Sequence, residues 1–520
     1  MRLITRTLLG LLPVGLAAAF IAALISPGSA VQSGRVEAIN LTTGPGASYS
    51  SGGFDSLSAV QSDAGVEYVR EVIDWSQIET SAGVYDWNTW RPLDAIFTSE
   101  EASGFKIVAV LDGAPSYIAS SSSSNSTELL VAWANFVQAA VNHFGDRVDV
   151  WEIGSRVNSS SGMSSFLLPS SPNAATVPDV ELYAQIVKVA AKIIKAADPN
   201  DEVWMGSLVS ASANACAVNP LTFMLEMNAT KAWKSIDSIQ YRPERGDAAP
   251  EDTVPIANSA CASSLPSSTT TLAGEIQSVT DLARQLGGKV VRLEGLGWSD
   301  GELASLSAGR SISADQVLAD YLTRSSIIAY SSSKISSVFW RADIQTYPAV
   351  TASLANLNSV LDGAKFVSQA QGQTGSVFEY RFQKGSKWII IAWHKGDDDA
   401  PFPVTLSGLE VGKLTAYPVD AAAFTSEYGT PISVDDSGNA ILLLNERPVV
   451  FIGTTADLGE AAKQEIDDQL DVWKFEIKAA SQRALNDVKA AVMQALEDMF
   501  NRAKEEAIQW GEKKLDELLN

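Results

Sequence analysis

"FVQAAVNHFGDRVDVWEIGSRVN", Phe136 to Asn158, is the stretch on which the fold turns. Upstream of and through its first half, from Glu128 to Phe144, Trp133, Phe136, Val137 and Val141 share one face at helical spacing. A turn at Gly145-Asp146 follows, and then the apolar, β-branched run Val148 to Ile153, which reads as a buried strand. The same pairing of amphipathic segment and apolar run recurs along the body. Further strands are expected at Tyr68 to Ile73, Lys106 to Leu111, Val203 to Leu208, Ser235 to Tyr241, Lys289 to Leu293 and Ser337 to Trp340. Between them, Leu182 to Ala197 reads as a helix stopped by Asp198-Pro199. That rhythm predicts an α/β fold, a (β/α)8 TIM barrel.

The texture changes downstream. From about Lys365 short alternating strands are expected at Val377 to Phe382, Trp388 to Trp393, Leu414 to Val419 and Ala440 to Leu444, with turns at Lys384-Gly385 and Ser437-Gly438. The expected organisation is a barrel over 31–364, a small C-terminal β-sandwich over 365–455, and a long amphipathic helix over 456–520. In that last segment Ile466, Ile477, Val488, Met499 and Trp510 recur at eleven-residue intervals, a period that gives a nearly straight helix. Some sixty residues at about 1.5 Å each reach roughly 90 Å, so the stripe invites self-association, a surface partner or a fold back on itself. Acidic residues outnumber basic ones there by 15 to 9, which weakens any attraction to anionic lipid.

Residues 1–30 read as an export signal: Arg2 and Arg6, an apolar stretch from Leu8 to Ile25, then the small residues of Pro27-Gly28-Ser29-Ala30. An uncleaved anchor is the alternative. Either places the body outside the cytoplasm, secreted or at the cell surface, where Cys216 and Cys261 could form a disulfide. Asn-x-Ser/Thr triplets at Asn40, Asn125, Asn158 and Asn228 are compatible with export. Composition narrows the chemistry further. The 520 residues carry 61 acidic and 38 basic side chains, a net charge of -23 with no basic run, which argues against nucleic acid as a partner. Two histidines, His143 and His394, and two cysteines leave little material for metal sites or Ser-His-Asp triads, and no metal or cofactor is expected. Any catalysis falls to carboxylates.

Six barrel motifs in one order, with a seventh stretch in the sandwich, resemble the clan-A retaining glycoside hydrolases, in particular the β-xylosidase and exopolysaccharide-hydrolase type that joins a barrel to a β-sandwich. "GVEYVREVIDWSQIETSAGVYDW" from Gly65 to Trp87 resembles the second-strand motif, with Arg70, Trp75 and Glu79 in their places. "FKIVAVLDGAPSYI" is similar to the third strand, and "FVQAAVNHFGDRVDVWEIGSRVN" to the helix and fourth strand that end in the catalytic Asn-Glu pair. "SIDSIQYRPE", "KVVRLEGLGWSD" and "VFW" follow like strands six to eight, and "LLLNERPVVFIG" like the closing strand of the sandwich. The resemblance spans about Phe54 to Gly453. It implies a sugar rim built with Arg70, Trp75, Glu79, Trp298 and Trp340, the last lying under the bound sugar.

The departures bear on activity. Retaining glycosidases need two carboxyl groups roughly 5 Å apart, an acid and a nucleophile. Read without gaps, the Asn-Glu pair falls on Ser155-Arg156, and a guanidinium cannot donate a proton at neutral pH. Arg242 stands where the family usually has a histidine. Anchoring on Gly297-Trp298 puts Gly295 at the nucleophile and Glu294 one residue early, unless a one-residue bulge turns Glu294 inward. Three outcomes stay open: a surviving nucleophile with an altered acid, a decayed site in which Arg156 and Arg242 pair with carboxylates, or a site repurposed for acidic sugars by Arg70, Arg156 and Arg242. Asp112 and Asp74 lie near strand ends without distinctive spacing. The resemblance thus implies an exported, catalytically degenerate glycoside hydrolase acting in carbohydrate binding or cell-surface assembly. The alternatives are an active retaining β-glycosidase using Glu294 and a structural envelope protein assembling through its tail.

Overall fold

The computed structural model describes residues 63–454, apart from 120–125, 160–177, 211–216, 257–267, 333, 342–346, 372–375, 397–400, 410–413, 426 and 436. The export segment, Asn40, Asn125, both cysteines and the helical tail therefore lie outside the described residues. Seven strands form the main sheet: β1 (Tyr68–Asp74), β2 (Lys106–Asp112), β3 (Val150–Ile153), β4 (Glu202–Val209), β5 (Ser238–Arg242), β6 (Val290–Leu296) and β7 (Ile335–Trp340). All are parallel and lie in chain order, as a β/α barrel requires. The sheet curls until its edges meet: the ring of Tyr68 on β1 lies 6.1 Å from that of Phe339 on β7.

Strand parity divides the side chains into two layers. Tyr68, Trp204 and Phe339 meet inside the curl, with the Arg292 guanidinium 4.3 Å from the Trp204 ring centroid. Trp151, Ile153 and Leu293 point outward to the helices and are fully buried there. The helix α1 (Ser126–Phe144) stacks Phe136 on Trp75 at 5.2 Å. In α2 (Val180–Ala197) the buried positions Val180, Tyr183, Ala184, Val187, Ala191 and Ile194 follow the helical period, and the Asp179 carboxylate caps the first turn. Capping boxes at Ser299/Glu302 and Ser313/Gln316 start a short helix, Asp300–Ser307, and the long α3 (Ala314–Ser331). No helix among the described residues is long and apolar enough to cross a membrane.

After the last barrel helix, Pro348–Leu361, a six-stranded antiparallel sheet forms from Lys365–Gln371, Val377–Lys384, Lys387–His394, Val449–Thr454, Leu414–Pro418 and Thr430–Ile432, in that spatial order. One face packs Tyr380, Phe382, Ile391 and Trp393 into the barrel core. The other closes over Val377, Ile390 and Phe451 against a two-stranded ribbon, Phe402–Leu406 with Ala440–Leu444. A sandwich of unequal sheets results. Ion pairs stitch it to the barrel: Glu446 reaches both Arg310 and, on α3, Arg324, which is fully buried and also grips Glu251 of the barrel. Arg447 bridges Asp320 on α3 at 3.2 Å and Asp420 at 2.7 Å.

Candidate functional site

In a parallel barrel the C-terminal strand ends carry the functional loops. Here the site begins with Arg70, an inward residue of β1 that is 2% exposed. Its guanidinium donates two parallel hydrogen bonds to the Glu152 carboxylate on β3, at 2.7 and 2.9 Å. Its third nitrogen stands 3.6 Å from Glu294 on β6. Glu152 and Glu294 are both fully buried. Arg70 thus lies between two carboxylates, and the charges of Glu152 and Glu294 outweigh burial to raise its pKa above the ordinary arginine value.

Glu294 faces inward by the alternation of β6, on the side of Arg292 and opposite Leu293, and a bulge follows it. Between Leu293 and Leu296, β6 advances three residues while β7 advances two, Val338 to Trp340. Gly295 sits in that bulge with φ +64°, a left-handed conformation that costs a residue with a Cβ. Arg242, the last residue of β5, lays its guanidinium over Gly295, where an added Cβ would stand 3.1 Å from Cζ. From there Arg242 reaches Glu294 at 3.7 Å and Glu244 at 3.4 Å. Burial alone would push the Glu294 carboxyl up. The charges of Arg70 and Arg242, a hydrogen bond from Ser207, and Arg341 together hold it below its usual value instead. Glu152 behaves oppositely: burial, with the charges of Glu294 and Asp112, pushes it up to about 7 against the pull of Arg70.

A second bulge, between Met205 and Leu208 of β4, turns Ser207 toward the site. Its hydroxyl also accepts the Arg156 backbone N–H at 3.0 Å. Arg156 itself stands three residues beyond β3 in a left-handed conformation, φ +50°, with its side chain exposed and, among the described residues, in no ion pair. Arg341, directly after β7, is partly buried and donates to the Gly297 carbonyl at 3.1 Å. Burial, and then the charge of Arg242, hold its pKa below the ordinary arginine value.

The structure therefore brings together Arg70, Arg242, Gly295 and Glu294, with Arg156 at the rim. It disperses the expected aromatic rim. Trp340 faces outward, fully buried, and its indole N–H donates to Ser326 of α3 at 2.7 Å, so it packs against a helix rather than under a sugar. Trp75 is enclosed by Trp133 and Phe136. Glu79 is occupied by the Trp75 indole N–H and by the Gly83 backbone N–H, which ties down the turn after β1. Trp298 packs edge-on against Tyr321 of α3 at 5.2 Å. Asp74 caps the short helix that starts at Trp75. Sequence reasoning missed Ser207 and Arg341 as site residues. The signal for Arg341 was its place immediately beyond a strand end, while Ser207 is exposed as a site residue only by the bulge. Asn158, one of the glycosylation triplets, is fully buried and donates to the carbonyls of Val209 and Val218 at 2.8 and 2.7 Å.

Solved structures share this fold. A family 39 glycoside hydrolase from the gut symbiont Bacteroides cellulosilyticus WH2 superposes with TM-score 0.59 at 16% identity, covering 82% of each chain. A conserved exported protein from Bacteroides fragilis matches with TM-score 0.50 at 10% identity, over 75% of this chain and 88% of that one. A bifunctional glucanase-xylanase from a metagenome library matches with TM-score 0.50 at 9% identity, over 77% and 94%. No protein-family profile and no curated protein matches the sequence. The fold is that of the glycoside hydrolases, a curled β/α barrel joined to β-rich layers.

Proposed function

We propose that this chain is an exported protein of the glycoside hydrolase fold that binds polysaccharide without hydrolysing it. The observation that carries this reading is the lack of a usable proton donor beside Glu294 among the described residues. The strand end that would hold the acid carries Arg156, which cannot donate a proton at neutral pH. The carboxyl nearest it on the same strand, Glu152, is fully buried and engaged by both arms of Arg70. Carbohydrate as the ligand class is supported by the shared fold, and export by the N-terminal segment.

One observation favours a second reading, an active retaining β-glycosidase. Strand alternation aims Glu294 inward, and the arginines keep it ionised, as a nucleophile must be. Aryl β-glycosides with a good leaving group separate the two, because their departure needs little acid assistance. The expected result is no turnover distinguishable from that of Glu294→Gln, with glycan binding present. Turnover abolished by Glu294→Gln would sink the non-hydrolytic reading.

A further inference from the structure

Among the described residues, two arginines at the mouth of the sheet have few partners. Arg242 has a side chain only 10% exposed, yet its contacts with Glu244 and Glu294 are 3.4 and 3.7 Å long. Its Nε–H is buried and makes no hydrogen bond among the described residues. Among the described residues Arg341 donates one hydrogen bond, to the Gly297 carbonyl. The two positive charges lie close enough that Arg242 disfavours the charged form of Arg341. Like charges brought together at a strand-end mouth, with their N–H forks largely unspent, match an oxyanion that can take two parallel hydrogen bonds. Three carboxylates neighbour the pair: Glu294 lies beneath Arg242, fully buried, Glu244 lies to one side with a 36% exposed side chain, and Glu302, whose charge acts on Arg341, accepts from the Ser299 backbone and hydroxyl in its capping box. Arg156, exposed at the rim, adds a third positive charge near the same strand ends.

The geometry points to a subsite for a carboxylated sugar, a uronate residue of a polysaccharide, gripped by Arg242 and Arg341. This rests on the carbohydrate-binding reading above and narrows it to an acidic glycan. Generic attraction is not the source, since a chain of net charge -23 repels polyanions overall. Binding must come from a local, oriented site.

The test uses the full chain with two polymers of one backbone, polygalacturonate and its fully methyl-esterified form, measured by titration calorimetry at neutral pH. The acid form is expected to bind at least about tenfold tighter. Arg341→Gln is expected to remove that preference of acid over ester, about tenfold. Arg242→Gln is expected to do the same. Because Arg242 also neutralises Glu294, Arg341→Gln is the deciding variant. Equal binding of acid and ester, or an acid preference untouched by Arg341→Gln, overturns the uronate subsite. If neutral glycans bind and polygalacturonate does not, the subsite fails and carbohydrate binding stands. If no polysaccharide of either kind binds, the parent reading fails with it.

Discussion

Removing Arg70 tests the electrostatic arrangement most directly. Arg70→Leu strands Glu152, which is fully buried and loses two hydrogen bonds of 2.7 and 2.9 Å. Glu294 keeps Arg242 at 3.7 Å, so the loss falls mainly on one carboxylate. Truncating one partner of a buried ion pair costs about 3–5 kcal/mol, because the other charge stays buried without its counterion. The penalty depends on pH, and its sign follows from Glu152. With Arg70 present, burial already pushes that carboxyl up to about 7. Without Arg70 it rises further, and the folded state takes up a proton that the unfolded chain releases. A carboxyl whose folded pKa exceeds its unfolded value gives stability that is lost as pH rises through the folded pKa. Each additional unit is worth about 1.4 kcal/mol. The urea midpoint, followed by tryptophan fluorescence, is therefore expected to fall by the full amount at pH 8 and by clearly less at pH 5. The double variant Arg70→Leu/Glu152→Leu should recover much of the loss, since an apolar pair of similar volume can replace a buried ion pair. A single-variant cost below about 1 kcal/mol at pH 8, or a larger cost at pH 5, would refute the reasoning.

Three further outcomes are expected. Gly295→Ala should destabilise the barrel by about 1–3 kcal/mol through the positive φ and by more through the 3.1 Å approach of Arg242; in an Arg242→Ala background the second part should vanish, as a double-mutant cycle would read. Asp320, whose carboxyl burial pushes up to about 7, contributes stability present at acid pH and lost as pH rises through that value; Asp320→Asn should therefore gain most, relative to the parent, at pH 8 and least at pH 5 in urea unfolding. Asn158 should carry no glycan in peptide mapping of exported protein, and Asn158→Asp should cost about 1–3 kcal/mol or more by leaving the Val209 and Val218 carbonyls without their donors.

Much of the scaffold was legible because it is periodic. The buried stripe of α2 and the apolar runs of β1 to β7 follow from burial on fixed repeats, and each expected strand appears within a few residues of its place. Boundaries drifted where caps decide them: the helix over Glu128 to Phe144 starts at Ser126, and the strand over Ser235 to Tyr241 begins only at Ser238, after a 3-10 turn at Ala232–Ser235. The strand Phe402–Leu406 escaped notice. It is short, carries Pro403, and is held by pairing with Ala440–Leu444 far along the chain, a partner that local pattern does not reveal.

The site was less legible for one physical reason, parity. In a strand one residue of register exchanges the barrel interior for the helix layer. Trp340 and Phe339 are neighbours of similar character, yet Phe339 meets Tyr68 and Trp204 inside while Trp340 bonds to a helix outside. No composition or spacing distinguishes them. The same ambiguity governed Glu294, and there the chain did leave a mark, a glycine within an otherwise apolar strand, which often signals a bulge. Gly206 precedes Ser207 on β4 in the same way, beside the other bulge. Such glycines mark where strand parity resets: Ser207 is turned inward beside Gly206, whereas Glu294 precedes Gly295 and keeps the parity of Arg292. Gly295 also accounts for Arg242: the surface that the glycine leaves bare is the one the guanidinium covers, so the arginine beside Glu294 depends on the bulge that follows Glu294.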